Sequence, residues 1–81
     1  MSTYSNRIVS IIRAINPIED VHEDTQLIES GIIDSLSLMI LIAHVEESFG
    51  IEIDGCEYVP ENFESVSAIE SLIRRLESNI Q

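Results

Sequence analysis

The sequence is most informative at residues 34–50, which read DSLSLMILIAHVEESFG. Asp34 has a side chain that favours the N-cap of a helix, and Leu36 to Phe49 contains no helix breaker. Gly50 supplies a stop, because glycine readily adopts the left-handed conformation that ends many helices. The pattern therefore predicts one uninterrupted helix between Asp34 and Gly50.

This middle helix is apolar on two nearly opposite faces when its residues are placed about 100° apart. One face consists of Leu38, Leu41, Ile42, Val45 and Phe49. The second face consists of Leu36, Met39, Ile40 and Ala43. Because a chain of 81 residues has few elements to cover both faces, we expect the second to be at least partly exposed for a partner or ligand. The alternative is that the loop preceding the helix covers it.

Two amphipathic helices are predicted on either side of the middle helix. Apolar residues at helical spacing predict the first from Tyr4 to Ile15, and Pro17 blocks its continuation. The last helix is predicted from a second apolar stripe, formed by Val66, Ile69, Ile73, Leu76 and Ile80. Its expected local features are an N-cap at Ser65 or Ser67 and a pair between Glu70 and Arg74.

The remaining segments connect these helices. Between Asn16 and Asp34 no period is sustained, yet the stretch contains Ile18, Val21, Leu27, Ile28, Ile32 and Ile33. We expect an ordered loop, and loops of this length are usually functional. Apolar and acidic residues alternate over residues 51–53, which we interpret as an extended connector. Pro60 suits the first position of a single helical turn. The prediction is an all-α, small four-helix bundle with three long helices and one short helix, and a long loop between the first two.

Composition excludes several classes of protein. Fifteen Asp and Glu against four Lys and Arg give a net charge of -11, which disfavours nucleic acids and anionic membranes as partners. Thirteen of the acids fall between Glu19 and Glu64, where there is no Lys or Arg, and predict an anionic surface. Cys56 is the one cysteine, and no signal peptide or membrane span is evident. We expect a single domain over residues 1–81, monomeric and cytoplasmic, with no assigned role for Cys56.

Catalytic and metal sites are difficult to build from these residues. His22 and His44 are expected on the surface, and Ser35 has no G-x-S-x-G sequence around it. Asp20, His22 and Asp24 imitate the start of a calcium loop, but the sixth position is Thr25 and the twelfth is Gly31. Neither an enzyme nor a specific metal site is predicted.

Residues 29–36, ESGIIDSL, resemble the prosthetic-group site of acyl and peptidyl carrier proteins, where Asp-Ser-Leu begins the second helix and a glycine lies shortly before it. The resemblance continues through residues 41–51, similar to the second helix and its exit, and through residues 60–69, similar to the short third helix and the entry to the fourth. Asp-Ser-Leu alone would also fit an ordinary N-capping serine. The flanking matches favour the carrier interpretation.

The resemblance implies that Ser35 carries a 4'-phosphopantetheine through a phosphodiester. A helix N-terminus tolerates phosphate charge. By the same resemblance, Asp34 caps the helix and helps the modifying transferase and its metal engage the site, and Leu36 completes the motif. Gly31 is expected to allow a tight approach by the loop. The implied function is a discrete, stand-alone carrier that holds acyl or aminoacyl groups as thioesters, performs no catalysis, and shuttles them between enzymes.

The implied partners are a phosphopantetheinyl transferase, a loading enzyme of the adenylation or acyltransferase type, and downstream transfer or modifying enzymes. We expect them to contact the second face of the middle helix; the contact residues predicted there are Leu36, Met39, Ile40, Ala43, Glu46 and Glu47. The exit from that helix and residues 60–63 favour a secondary-metabolite or aminoacyl-transfer pathway. The alternatives are a D-alanyl carrier, a fatty-acid carrier and an unmodified helical adaptor.

Overall fold

A computed structural model of the protein describes residues 3–17 and 21–78. In chain order the elements are the helices α1 (Thr3–Ile15) and α2 (Ser35–Phe49), a 3₁₀-helical turn (Gly55–Glu57), and the helices α3 (Pro60–Phe63) and α4 (Val66–Ser78). The predictions for Ile18, Asp20 and Ile80 lie outside the described residues. In the described part of the chain there is no β-strand, and the prediction of an all-α bundle with three long helices and one short helix is confirmed.

The local signals at the helix ends are confirmed. Asp34 caps α2, and Gly50 ends it with a φ of 67° in the left-handed region. Ser65, and not Ser67, caps α4, because its Oγ accepts a hydrogen bond from the Ala68 amide at 3.1 Å. The predicted pair within α4 also forms, with Arg74 Nε 2.9 Å from Glu70 Oε2.

The hydrophobic core lies where α1, α2 and α4 meet, and the loop and α3 close it. On α2 the residues Leu41, Ile42 and Val45 are buried, as the first apolar face predicts. The most completely buried side chains from the other segments are Ile8, Ile12, Leu27, Ile33, Phe63, Val66, Ile69, Leu72 and Ile73. Burial of these aliphatic side chains is the main force that holds the helices together, since surface ion pairs contribute little.

The loop after α1 is ordered where it is described, as predicted. Its residues Val21, Leu27 and Ile33 are buried in the core. The Leu27 amide donates to the Glu64 carbonyl at 2.8 Å, and the Ile33 amide donates to the Leu27 carbonyl at 2.9 Å. These bonds join the loop to the end of α3 and then lead the chain to the start of α2.

Residues 51–53 form the extended connector that the alternation predicts, with Ile51 and Ile53 buried. The 3₁₀-helical turn that follows was not predicted, because three residues leave no detectable period. Pro60 occupies the first turn of α3, as expected. Within the described part of the chain, no helix is long and apolar enough to cross a membrane.

Candidate functional site at the start of the middle helix

Ser35 is the first residue of α2, and it is exposed. Two residues earlier, Ile33 is 1% exposed, and its amide is bonded to the Leu27 carbonyl. A buried side chain and a backbone hydrogen bond therefore fix the chain immediately before Ser35. The serine hydroxyl is presented at the surface from a backbone that the core holds in place.

Asp34 is the N-cap of α2 and has extended backbone geometry. Its Oδ1 accepts a hydrogen bond from the Ser37 amide at 2.8 Å. This bond, followed by one from the Ser37 side chain, lowers the pKa of Asp34 below its ordinary value. Asp34 is therefore ionised at neutral pH, and it stabilises the helix end on which Ser35 lies.

Gly31 has a different role from the predicted one. A β-carbon built on this residue would meet no atom within 4 Å, so no neighbour occupies the space that the missing side chain leaves. Its φ is 85°, a backbone conformation that side chains with a β-carbon rarely adopt. The expectation of a tight approach is wrong, and glycine is needed here to turn the backbone before α2.

A groove of about 320 Å³ opens next to Ser35. Three segments line it: the loop, the first turn of α2, and α3. The lining residues are Ile28, Gly31, Ile33, Asp34, Ser35, Leu38 and Pro60. Sequence reasoning missed Ile28, Leu38 and Pro60 as parts of the site, because their apolar character signals burial and says nothing of which segments become neighbours. Leu36, predicted with the cofactor residues, does not line the groove.

These residues fit a covalent phosphopantetheine. Ser35 offers an accessible primary hydroxyl for a phosphodiester. The first amides of a helix have no intrahelical acceptor, and together with the helix dipole they favour a phosphate at this end. The groove beside the hydroxyl is mostly apolar, and among the described residues that line it only Asp34 is charged.

The second face of α2 is exposed. Leu36 is 73%, Met39 52% and Ile40 42% exposed, and Ala43 is also exposed. We refer to these four residues as the apolar patch. The described part of the loop does not cover it, so the prediction of exposure is confirmed and the covered alternative is wrong. Isolated exposed aliphatic side chains are common, but a continuous strip on one helix face is typical of an interaction surface.

Glu46 and Glu47, the two acids assigned to the edge of this face, differ in how far their side chains are exposed. Glu47 is exposed, as expected for a contact residue. Glu46 is half-buried, and its Oε2 accepts a hydrogen bond from the Ile53 amide at 2.8 Å. Its carboxylate holds the connector against α2, and its assignment to partner contact stays a prediction. A periodic sequence pattern cannot reveal this bond, because it joins a residue of α2 to a residue beyond the end of that helix.

The remaining candidate residues form no further site. His22, His44 and Cys56 are exposed, as predicted for the histidines. Among residues 3–17 and 21–78, no group of three or more potential ligands is placed to hold a metal ion. The stretch from Glu19 to Glu64 contains no Lys or Arg, but the fold brings Arg75 from α4 to one of its acids, Glu57.

Comparison with known proteins is consistent with this geometry. The family model described as "Phosphopantetheine attachment site" matches residues 6–76. Aminoacyl carrier protein 2 of Bradyrhizobium diazoefficiens is 36% identical over 72 residues, which cover 84% of this chain and 80% of that protein. A chain in a structure described as "Crystal structure of FAD-dependent dehydrogenase" superimposes with a TM-score of 0.74 at 36% identity, covering 83% of this chain and 99% of the other.

The family match includes most of α1, all of α2 and α3, and most of α4, together with the groove and Ser35. Identity to the aminoacyl carrier protein extends over most of both chains. Carrier proteins are not enzymes, and their prosthetic group is 4'-phosphopantetheine, bound covalently. The chain therefore belongs to the phosphopantetheine-binding carrier protein family.

Proposed function

We propose that residues 1–81 act as one discrete carrier domain that holds acyl or aminoacyl intermediates on a phosphopantetheine attached to Ser35. The observation that carries this proposal is the exposed Ser35 hydroxyl at the capped start of α2, in a chain of this family. When bound, the group supplies a terminal thiol that holds the cargo as a thioester. A flexible tether of this kind gives effective concentrations of about a millimolar at a bound enzyme.

The residues around Ser35 have separate roles in this proposal. Asp34 stabilises the helix end and is the acid nearest in sequence to the hydroxyl that the transferase modifies. Gly31 turns the loop so that Ile33 is buried and Ser35 is exposed. The groove offers apolar surface beside the attachment point. The chain itself performs no bond-making step, and it presents the hydroxyl from a backbone that Ile33 anchors in the core.

Intact mass after coexpression with a broad-specificity phosphopantetheinyl transferase tests the attachment site. We expect the mass to rise by one phosphopantetheine for the wild type, and Ser35→Ala to prevent the increase. Ser37→Ala is the matched control, since it removes a hydroxyl from the same helix turn and leaves Ser35 in place. A wild type that stays unmodified by several transferases, while a known carrier is loaded, would contradict the proposal and favour the unmodified adaptor.

We further propose that partner enzymes dock on the apolar patch, with Glu47 at its edge. Carriers of the fatty-acid type often have acids at the places occupied here by Ser37, Ile40 and Ser48. Burying an aliphatic side chain is worth roughly 1.5 to 3 kcal/mol. An exposed ion pair is worth about 0 to 1 kcal/mol. Apolar contact should therefore contribute more than charge to docking on this face.

The cargo is proposed to be an amino acid or a small acyl group in a secondary-metabolite or aminoacyl-transfer pathway of the cytoplasm. The similarity to an aminoacyl carrier protein supports this choice over a D-alanyl or fatty-acid carrier. Incubating the holo protein with adenylation enzymes and amino acids, and then with acyltransferases and acyl donors, identifies the cargo by mass. The similar chain in the FAD-dependent dehydrogenase structure adds a flavin dehydrogenase to the downstream enzymes to be tested.

A further inference from the structure

The position of α3 depends on contacts with other segments. It has only four residues, Pro60–Phe63, and its N-cap Val59 has no capping side-chain hydrogen bond. A helix this short is not stable by itself. At its C-terminal end Phe63 is fully buried and the Glu64 carbonyl accepts the Leu27 amide. Pro60, at the other end, is exposed and lines the groove beside Ser35.

Glu57 lies three residues before Pro60, and it joins the chain that enters α3 both to Asn62 of α3 and to Arg75 of α4. Its backbone carbonyl and its Oε1 accept hydrogen bonds from Asn62 Nδ2, at 2.9 and 3.0 Å. Its carboxylate also receives two bonds from Arg75, with Nη1 3.0 Å from Oε2 and Nη2 3.2 Å from Oε1. This paired arrangement is the geometry that gives an arginine-carboxylate contact its orientation. We refer to the side chains of Glu57, Asn62 and Arg75 together as the clasp.

The clasp is an unusual use of charge in this chain. The protein has four Lys and Arg against fifteen acids, and Arg75 reaches an acid 18 residues away in sequence. The hydrogen bond from Arg75 lowers the pKa of Glu57, so the pair is ionised at neutral pH. Arg74, the adjacent residue, pairs instead with Glu70 within α4 and lies over the Tyr4 ring of α1.

We propose that Glu57 and Arg75 are positioning residues, which hold the Pro60 end of α3 at the wall of the Ser35 groove and thereby set how well the modifying transferase engages Ser35. The inference rests on the proposed function. Loss of the clasp frees the chain that leads into Pro60, while the buried Phe63 still anchors the other end of α3. The wall beside Ser35 then samples several positions, and only some of them match the surface that the transferase binds.

The test compares Arg75→Gln with Arg74→Gln, two neighbouring substitutions on α4 that remove the same charge. We expect Arg75→Gln to raise the Michaelis constant of a broad-specificity transferase for the apo protein about two- to fivefold, the equivalent of one exposed ion pair. The turnover number should stay unchanged, because Ser35 and its cap are intact. Arg74→Gln should leave both constants at the wild-type values.

A second measurement separates positioning from general destabilisation. In amide NMR spectra, Arg75→Gln and Glu57→Gln should shift the signals of Asn62 and Ser35, whereas Arg74→Gln should leave both in place. Equal Michaelis constants for the two arginine variants, or unshifted Asn62 and Ser35 signals, would overturn the inference while wild-type loading still supports the carrier function. Failure of the wild type to be loaded at all would instead contradict the proposed function.

Discussion

Met39→Glu tests whether the apolar patch is a docking surface. Met39 is 52% exposed, so about half of its side chain is free to be buried by a partner. Since full burial of such a side chain is worth roughly 1.5 to 3 kcal/mol, the free half contributes about 0.8 to 1.6 kcal/mol. Each 1.4 kcal/mol or so is a factor of ten in affinity, and we expect binding to weaken about four- to fifteenfold.

The same substitution should have little effect on folding. Met and Glu have nearly equal helix propensities, and exposed substitutions usually change the free energy of unfolding by less than about 0.5 kcal/mol. Leu41, two residues further along α2, is 0% exposed and provides the contrast. Leu41→Ala should destabilise the protein by about 2 to 5 kcal/mol, because it leaves a cavity in the core.

The assay measures the Michaelis constant of a broad-specificity phosphopantetheinyl transferase for each apo variant, beside a circular-dichroism melt. If Met39→Glu lowered the melting midpoint as much as Leu41→Ala does, the apolar patch would be part of the core. A folded Met39→Glu with an unchanged Michaelis constant would mean that this enzyme does not contact it. Binding of the wild type should depend only weakly on salt concentration. A large loss of affinity between low and moderate salt would mean that the acidic residues are responsible for recognition.

Three further outcomes concern stability. Asp34→Ala should lower the melting midpoint at neutral pH, and its difference from the wild type should disappear as the pH falls from 3.8 through the lowered pKa of folded Asp34, because protonation removes the ionised cap. Added sodium chloride or magnesium should raise the wild-type midpoint by screening acid repulsion; a flat response would mean that pairs such as the one between Glu57 and Arg75 already compensate it. Gly50→Ala should cost about 1 to 2 kcal/mol at its φ of 67°, measured by urea unfolding against Gly55→Ala, which has open space and no positive φ and should be neutral.

The amino-acid sequence by itself determined the helices and the location of Ser35 at a helix start. These features depend on residues within a few positions of one another: the cap at Asp34, the stop at Gly50, and apolar residues at helical spacing. The carrier signature is equally local, since residues 29–36 contain it within one short segment. Short-range patterns of this kind can be recognised in the sequence without knowing how the rest of the chain packs.

Only the tertiary structure decided which distant residues become neighbours. The groove beside Ser35 combines Ile28, Leu38 and Pro60 from three separate segments. Glu57 meets Arg75 across 18 positions. Apolar spacing says that a side chain will be buried, but not against which segment, because hydrophobic burial has no direction. Which packing forms depends on how the apolar faces of all the helices fit together in one core. In this packing the second face of α2 stays exposed.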